Sequence, residues 1–165
     1  MNKVLLSCLL LLSAAGLSLA AERSLIEADR MEWLEARGIT SFFGSVRYRY
    51  PAEKVTILAD KLEIRRQGNK LLSIIAEGAP VEFEQLGEAD KLIKGQSSHL
   101  YYDAQTETVK LSGNAQLLSG NNRLQGEVIV YDMQNQTAEL SGDGQDDKRF
   151  EAIIQPSSEK NETLK

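Results

Sequence analysis

Apolar and polar residues alternate with a period of two along most of this chain. Between residues 44 and 50, Val46, Tyr48 and Tyr50 point one way while Ser45, Arg47 and Arg49 point the other, as in a half-buried strand. Pro51 ends the run, since proline cannot donate to a ladder. Val81 and Phe83 alternate with Glu82 and Glu84. Phe150, Ala152 and Ile154 share one face of a last segment, residues 150–155, that Pro156 stops. Residues 54–59, 61–66 and 71–76 read as further strands, separated by a turn at Gln67-Gly68-Asn69-Lys70 and a bend at Glu77-Gly78-Ala79-Pro80. Residues 86–95, rich in glycine and charge, read as a loop. Residues 25–37 admit a strand reading and a helix reading, the second because Glu, Met, Leu and Ala favour helix.

One pattern is written twice. Tyr102-Asp103 opens the first copy and Tyr131-Asp132 the second, and at an offset of 29 residues the Tyr, Asp, Gln, Thr, Leu, Ser and Gly positions agree through Gly113 and Gly142. Each copy is a strand ending at Tyr-Asp, a polar turn, a returning strand and a glycine. A repeat holding two strands suggests stacked, similar β-layers.

The alternation also changes parity at Ala-Asp steps. Ile57 and Ala59 share a face, but Leu62 and Ile64 join it only if one residue is skipped, so a bulge or corner is expected at Ala59-Asp60. Ala28-Asp29 and Ala89-Asp90 are related steps. Gly44, Gly78, Gly113 and Gly142 stand between strand candidates, where a tight bend or close backbone approach needs them. Nothing between Gly38 and Pro156 has sustained helical periodicity. The chain is therefore expected to be all-β, built of many short antiparallel strands.

The inward face predicted by parity carries Val46, Tyr48, Tyr50, Ile57, Leu62, Ile64, Val81, Phe83, Leu100, Tyr102, Val109, Leu111, Ile129, Tyr131, Leu140 and Phe150. Such a face either fills a core or leaves a groove wide enough for an acyl chain. Composition does not distinguish the two.

At 165 residues the chain allows one domain. Its first twenty residues have the form of a cleavable secretory signal: Lys3, an apolar stretch over residues 4–12 with Leu17 and Leu19, then Ser18-Leu19-Ala20 before Ala21. The stretch is short for a bilayer span of about 20 residues. Cys8, the only cysteine, would leave with the signal, so the mature chain would rely on packing and hydrogen bonds alone. Residues 21–156 then form the domain, and residues 157–165 a polar tail with the composition of disorder. A formal charge of −5 argues against a nucleic-acid partner, which needs a basic stripe.

No catalytic or metal constellation can be assembled. His99 is the only histidine, and parity turns it outward. No glycine-rich phosphate loop precedes a helix, and no His or Cys pair has metal spacing. Glu82/Glu84, Asp103/Asp132 and Asp146/Asp147 read as solvated strand faces and turns. No enzymatic activity, cofactor or metal is expected.

From Ile26 to Pro156 the chain resembles the OstA-like family of periplasmic lipopolysaccharide-transport proteins. The resemblance is carried by Gly44-Ser45-Val46, Gly113-Asn114-Ala115, the corner Ile57-Leu58-Ala59-Asp60-Lys61-Leu62, and Gly78-Ala79-Pro80-Val81-Glu82-Phe83. Leu111-Ser112-Gly113-Asn114-Ala115-Gln116-Leu117, followed by Leu124-Gln125-Gly126-Glu127 and Ile153-Ile154-Gln155-Pro156, complete it. It implies an open, twisted β-jellyroll whose apolar groove holds the acyl chains of lipopolysaccharide. It also implies head-to-tail joining through edge strands into a bridge from inner to outer membrane. The implied partners are an inner-membrane-anchored LptC-like protein and the N-terminal domain of an LptD-like outer-membrane protein.

The resemblance places Phe83 and Tyr102 on groove-contact positions, with Ser24 and Ile26 on or beside such positions. The inward face adds Tyr48, Leu111 and Tyr131 as candidate ligand contacts. Ser24 is polar where the family is apolar, and Ala104 is small where a larger apolar residue is usual. Two other readings stand beside this one. The first is an LptC-like component that keeps its N-terminal membrane helix; the second is a β-solenoid with a structural or carbohydrate-binding role.

Overall fold

A computed structural model describes residues 23–87, 91–141 and 151–153. Ten strands make one sheet: β1 (Leu25–Glu27), β2 (Arg30–Leu34), β3 (Ile39–Tyr50), β4 (Val55–Gln67), β5 (Lys70–Leu86), β6 (Leu92–Asp103), β7 (Thr108–Ser119), β8 (Asn122–Asp132), β9 (Thr137–Ser141) and β10 (Glu151–Ile153). From β3 to β8 each strand pairs with the next in sequence; β1 and β2 both pair with β3, and β9 and β10 both with β8. Every pairing among the described residues is antiparallel. This excludes coils of parallel strands, the β-solenoid reading. Residues 25–37 take the strand reading as β1 and β2, closed by a single 3-10 turn, Glu35–Arg37.

The sheet is creased. Register shifts fall between Phe43 and Val46 on β3, Leu58 and Lys61 on β4, Glu77 and Val81 on β5, Gln96 and His99 on β6, and Ser112 and Ala115 on β7. Because these strands are neighbours, the shifts form one line that divides the sheet into two layers. The front layer holds β2, β9 and residues 39–43, 61–67, 70–77, 99–103, 108–112 and 128–132. The back layer holds β1, β10 and residues 46–50, 55–58, 81–86, 92–96, 115–119 and 122–126.

The crease explains the parity change at Ala59-Asp60. Ile57 and Ala59 are buried before it and Leu62 and Ile64 after it, while Asp60 is exposed. The Ala28-Asp29 break, between β1 and β2, lies on the same line: the Asp29 amide donates to the Phe43 carbonyl at 3.0 Å. On β3 and β7 the crease is made by consecutive left-handed residues, Gly44 and Ser45 (φ 77 and 44) and Gly113 and Asn114 (φ 79 and 51). A side chain at Gly113 would place Cβ 2.9 Å from Ser98 Cβ, across the crease on β6. Ala89-Asp90, Gly142, Phe150 and the segments 1–22 and 154–165 lie outside the described residues.

The two sequence copies are the hairpins β6–β7 and β8–β9. Asp103 Oδ1 accepts from the Gln105 amide at 2.8 Å, and Asp132 Oδ1 from the Asn135 amide at 2.8 Å. Each carboxylate thus closes the turn that its Tyr-Asp step begins. The following strands are entered through left-handed Glu107 and Gln136 (φ 53 in both).

Both layers turn their apolar face inward, and one contiguous core results. Leu62, Leu111 and Ile129 are fully inaccessible, each contributing about 1.5–3 kcal/mol by its burial. One expectation is corrected: the second half of the segment read as a loop is the start of β6, with Ile93 1% exposed. Its inward positions are Ile93, Gly95 and Ser97, which hid the alternation. Gly95 is small because a Cβ there would approach Leu111 Cδ1 to 2.8 Å.

If the crease depends on close backbone approach, Gly113→Ala should cost about 2–4 kcal/mol in urea unfolding, from a left-handed penalty of about 1–2 kcal/mol and the Ser98 clash. Gly68, also left-handed (φ 57) but with nothing within 4 Å, isolates the first term, so Gly68→Ala should lose only about 1–2 kcal/mol. Equal losses would show that the Ser98 contact does not matter.

Candidate functional site

The space between the layers is the candidate site. Opposite the crease, the strand-end hairpins of the two layers meet along a seam. Deep within it a cavity of about 50 Å³ is lined by Tyr48, Ile57 and Phe83 of the back layer and Ile74, Leu100 and Val109 of the front layer. It is smaller than the roughly 300–1,000 Å³ of ordinary ligand pockets. Toward solvent the lining passes through Tyr50, Tyr102 and Met133 into a wider cavity of about 420 Å³. Glu53, Arg66, Glu107 and Gln85 border that outer space.

A third cavity, about 490 Å³, lies at the N-terminal end of the layers and is lined by Ile26, Trp33, Phe42, Ile64 and others. Met31 pairs with Phe42 and Trp33 with Thr40, while Phe42 pairs with Leu62 and Thr40 with Ile64. Directly paired residues share a face, so Met31 and Trp33 continue the inward face past the point where β1 covers it. They are 58% and 63% exposed. Sequence reasoning missed both, because residues 25–37 also admit a helix, which leaves the inward face of that stretch unassigned. At the other end Leu124, Ala138 and Leu140 are half-buried against the core and Ile153 is exposed.

The candidate contacts fall into three groups. Tyr48, Phe83 and Tyr102 come together around the inner cavity, Tyr102 half-buried at its mouth. Leu111 is fully buried behind Phe83, both beside Gly95. Ile26 is half-buried by Trp33 and Phe42 at the N-terminal end, and Tyr131 is buried on β8, lining neither seam cavity. Ser24 borders the outer seam cavity. The Ala104 amide donates to the Leu72 carbonyl at 3.0 Å.

The phenols are held neutral. Burial, then the charge of Tyr50, pushes the Tyr48 hydroxyl up to about 12. Burial followed by the Glu107 and Glu53 carboxylates raises Tyr102, and burial followed by Asp132 raises Tyr131. Among the described residues, no three His, Cys, Asp or Glu side chains are grouped to hold a metal. No helix among them is long and apolar enough to cross a membrane. The arrangement offers apolar surface and hydrogen-bonding groups.

The family model described as LptA/(LptD N-terminal domain) LPS transport protein matches residues 25–137, from β1 into β9. The chain belongs to this family. The lipopolysaccharide export system protein LptA of Escherichia coli K12 is 26% identical over 135 residues, covering 79% of this chain and 72% of that protein. The protein of the same name from Shigella flexneri matches to the same extent. The crystal structure of LptH from Pseudomonas aeruginosa, the LptA-homologous periplasmic component of a lipopolysaccharide transport device, superposes with a TM-score of 0.74 at 20% identity. It covers 82% of this chain and 96% of that one. That likeness shows the fold, a β-jellyroll-like open sheet, and the family match supplies its class, lipopolysaccharide transport.

Two outcomes test the interior of this family member. Tyr131 buries its hydroxyl without a partner among the described residues, so Tyr131→Phe should be neutral or stabilising by about 1 kcal/mol in chemical unfolding. Tyr48, with its hydroxyl raised by burial, binds its proton more tightly folded than unfolded. Its contribution is therefore present in full below pH 10 and lost as pH rises through about 12. Tyr48→Phe should flatten that alkaline fall, read as the unfolding midpoint against pH; an unchanged slope would count against it.

Proposed function

We propose that the protein carries lipopolysaccharide across the periplasm, with acyl chains between the two layers and copies joined head to tail into a bridge. The single observation that carries this reading is that the inward face runs out of cover at the N-terminal end. Trp33 and Met31 extend it on the front layer, Ile26 on the back layer, and among the described residues no further strand pairs with β1 or β2 there. An uncovered apolar face beside unpaired edge strands favours strand addition by a neighbour that brings its own inward face. The other end offers one edge strand per layer, β9 and β10, and copies so joined have a heterologous, non-closing interface.

Each acyl methylene removed from water gains about 0.8 kcal/mol. The inner cavity is small, so the reading requires the layers to part at the seam, where only side chains and hairpins meet. The crease is continuous backbone and stays closed. On this reading Tyr48, Phe83 and Tyr102 contact the chains first, Leu111 and Tyr131 line the opened interior, and Ile26 lies at the junction between copies. An LptC-like inner-membrane protein and the N-terminal domain of an LptD-like protein occupy the two ends of the bridge.

Photo-crosslinking residues placed at Phe83 and Tyr102 should capture lipopolysaccharide in cells, while the same probe at Arg47 or His99, both exposed on outward faces, should not. Equal capture from both faces would sink the interior reading. For assembly, sedimentation velocity should show concentration-dependent association that deletion of residues 150–165 abolishes. Emission of Trp33, the only tryptophan, should shift to the blue as association proceeds. Undiminished self-association of the truncated protein would overturn the terminal-strand assignment.

A further inference from the structure

The outer seam cavity has a feature that an acyl-chain channel does not need. Gln85 continues the inward alternation Val81, Phe83, Gln85 on β5, pairs with Val55 and Ile93, and is only 9% exposed. Its Oε1 has no hydrogen-bond partner among the described residues. It borders the 420 Å³ cavity together with Tyr48, Tyr50 and Tyr102. A buried amide oxygen left unmet costs about 1–3 kcal/mol, and an apolar side chain would avoid this. The outer cavity also shares Tyr48, Tyr50, Leu71, Tyr102 and Met133, and Glu53 at the rim, with the mainly apolar 50 Å³ cavity behind it. A polar chamber thus narrows into an apolar slot, the shape of an amphiphile.

The charge at the rim selects among amphiphiles. Glu53 of the back-layer hairpin and Glu107 of the front-layer hairpin both act on Tyr102, with Asp103 beside it, whereas among the described residues Arg66 is the cation that lines the cavity. Carboxylates outnumber the guanidinium, so an anionic head meets net repulsion and an uncharged head does not.

We propose that the seam mouth is a binding site for the uncharged polar head of an amphiphile. A hydroxyl or N–H of the head donates to Gln85 Oε1, and the alkyl chain enters the slot between Tyr48 and Tyr102. The proposal rests on the lipid-carrying reading of the interior and adds to it a head-group preference. Sugar hydroxyls suit the site; phosphates are turned outward, away from Glu53 and Glu107.

The test uses the mature full-length protein and three probes below micelle-forming concentration: n-octyl-β-D-glucoside, n-octyl phosphate and glucose. Calorimetric titration should show the glucoside binding more tightly than the phosphate, and glucose alone not binding. Gln85→Leu, close in size and free of the unmet oxygen, should raise the thermal midpoint of the unliganded protein and weaken the glucoside about three- to tenfold, as loss of one hydrogen bond predicts. The double variant Glu53→Gln with Glu107→Gln should strengthen octyl phosphate at least threefold relative to the glucoside. In the unsubstituted protein, the Gln85 side-chain amide resonance should move with glucoside and stay with phosphate, which keeps the test independent of any variant's folding. Phosphate binding as tightly as glucoside, an unmoved Gln85 resonance, or an unaltered affinity in Gln85→Leu would overturn the proposal. Lipopolysaccharide is titrated in parallel. If it binds while the glucoside does not, the seam site is wrong and the lipid-carrying reading survives; if neither binds, that reading fails as well.

Discussion

Everything in this fold depends on the crease, where each long strand shifts register along one line. A flat sheet of strands this long would turn one apolar face to water. By changing parity on β4, β5, β6 and β8, and by turning through two consecutive left-handed residues on β3 and β7, the chain keeps its apolar positions on the inner side of both arms, so one sheet supplies both walls of its own core. Ala59 and Leu62 flank the crease on β4, Val46 follows it on β3 and Ala115 follows it on β7, all of them buried. The creased sheet of this chain thus rests on two local devices, the parity change on four strands and the left-handed pair on two.

The two long boundaries of the interior differ physically. At the crease the layers are joined by continuous backbone and by contacts as close as Gly113 against Ser98. At the seam they meet through half-buried tyrosines, Met133 and exposed charges. Outside, ion pairs such as Arg49–Glu27 and Lys94–Glu84 cross between neighbouring strands at 3.2 and 2.6 Å. Being exposed, each adds little stability, but together they keep the outer faces wet and leave the interior as the surface on which lipid can be buried. Opening at the seam therefore costs side-chain contacts, whereas opening at the crease would cost ladder hydrogen bonds.

The two ends differ as well. At the first, Trp33 and Met31 lie open beside β1 and β2, while the last strands expose little large apolar surface apart from Ile153. An interface built from unlike ends joins copies in one direction only. Gln85 and the carboxylates at the seam add polarity across the layers.

Much of this was legible in the chain itself. Period-two alternation assigned residues 44–50 of β3, the second half of β5 and most of the core, since each buried side chain there is marked by its neighbours of opposite character. The parity change at Ala59-Asp60 announced the crease, and the Tyr-Asp repeat announced two hairpins because Asp103 and Asp132 close their turns through their own side chains. Other features were decided by tertiary structure. The start of β6 looks like a loop because Gly95 and Ser97 face inward, and Gly95 is small because Leu111 and Phe83 already occupy that space. The hairpin at residues 51–54, entered through left-handed Lys54, lacks the Asp that marks its two counterparts. The candidate site was half legible: alternation named Tyr48, Phe83 and Tyr102 as inward. It could not say that Glu53, Arg66 and Glu107 stand around them, because those residues come from three hairpins brought together only when the sheet folds along its crease. Strand parity is a local property and can be read from neighbours in sequence; which layer faces which depends on contacts between residues far apart in the chain, and only the folded sheet determines it.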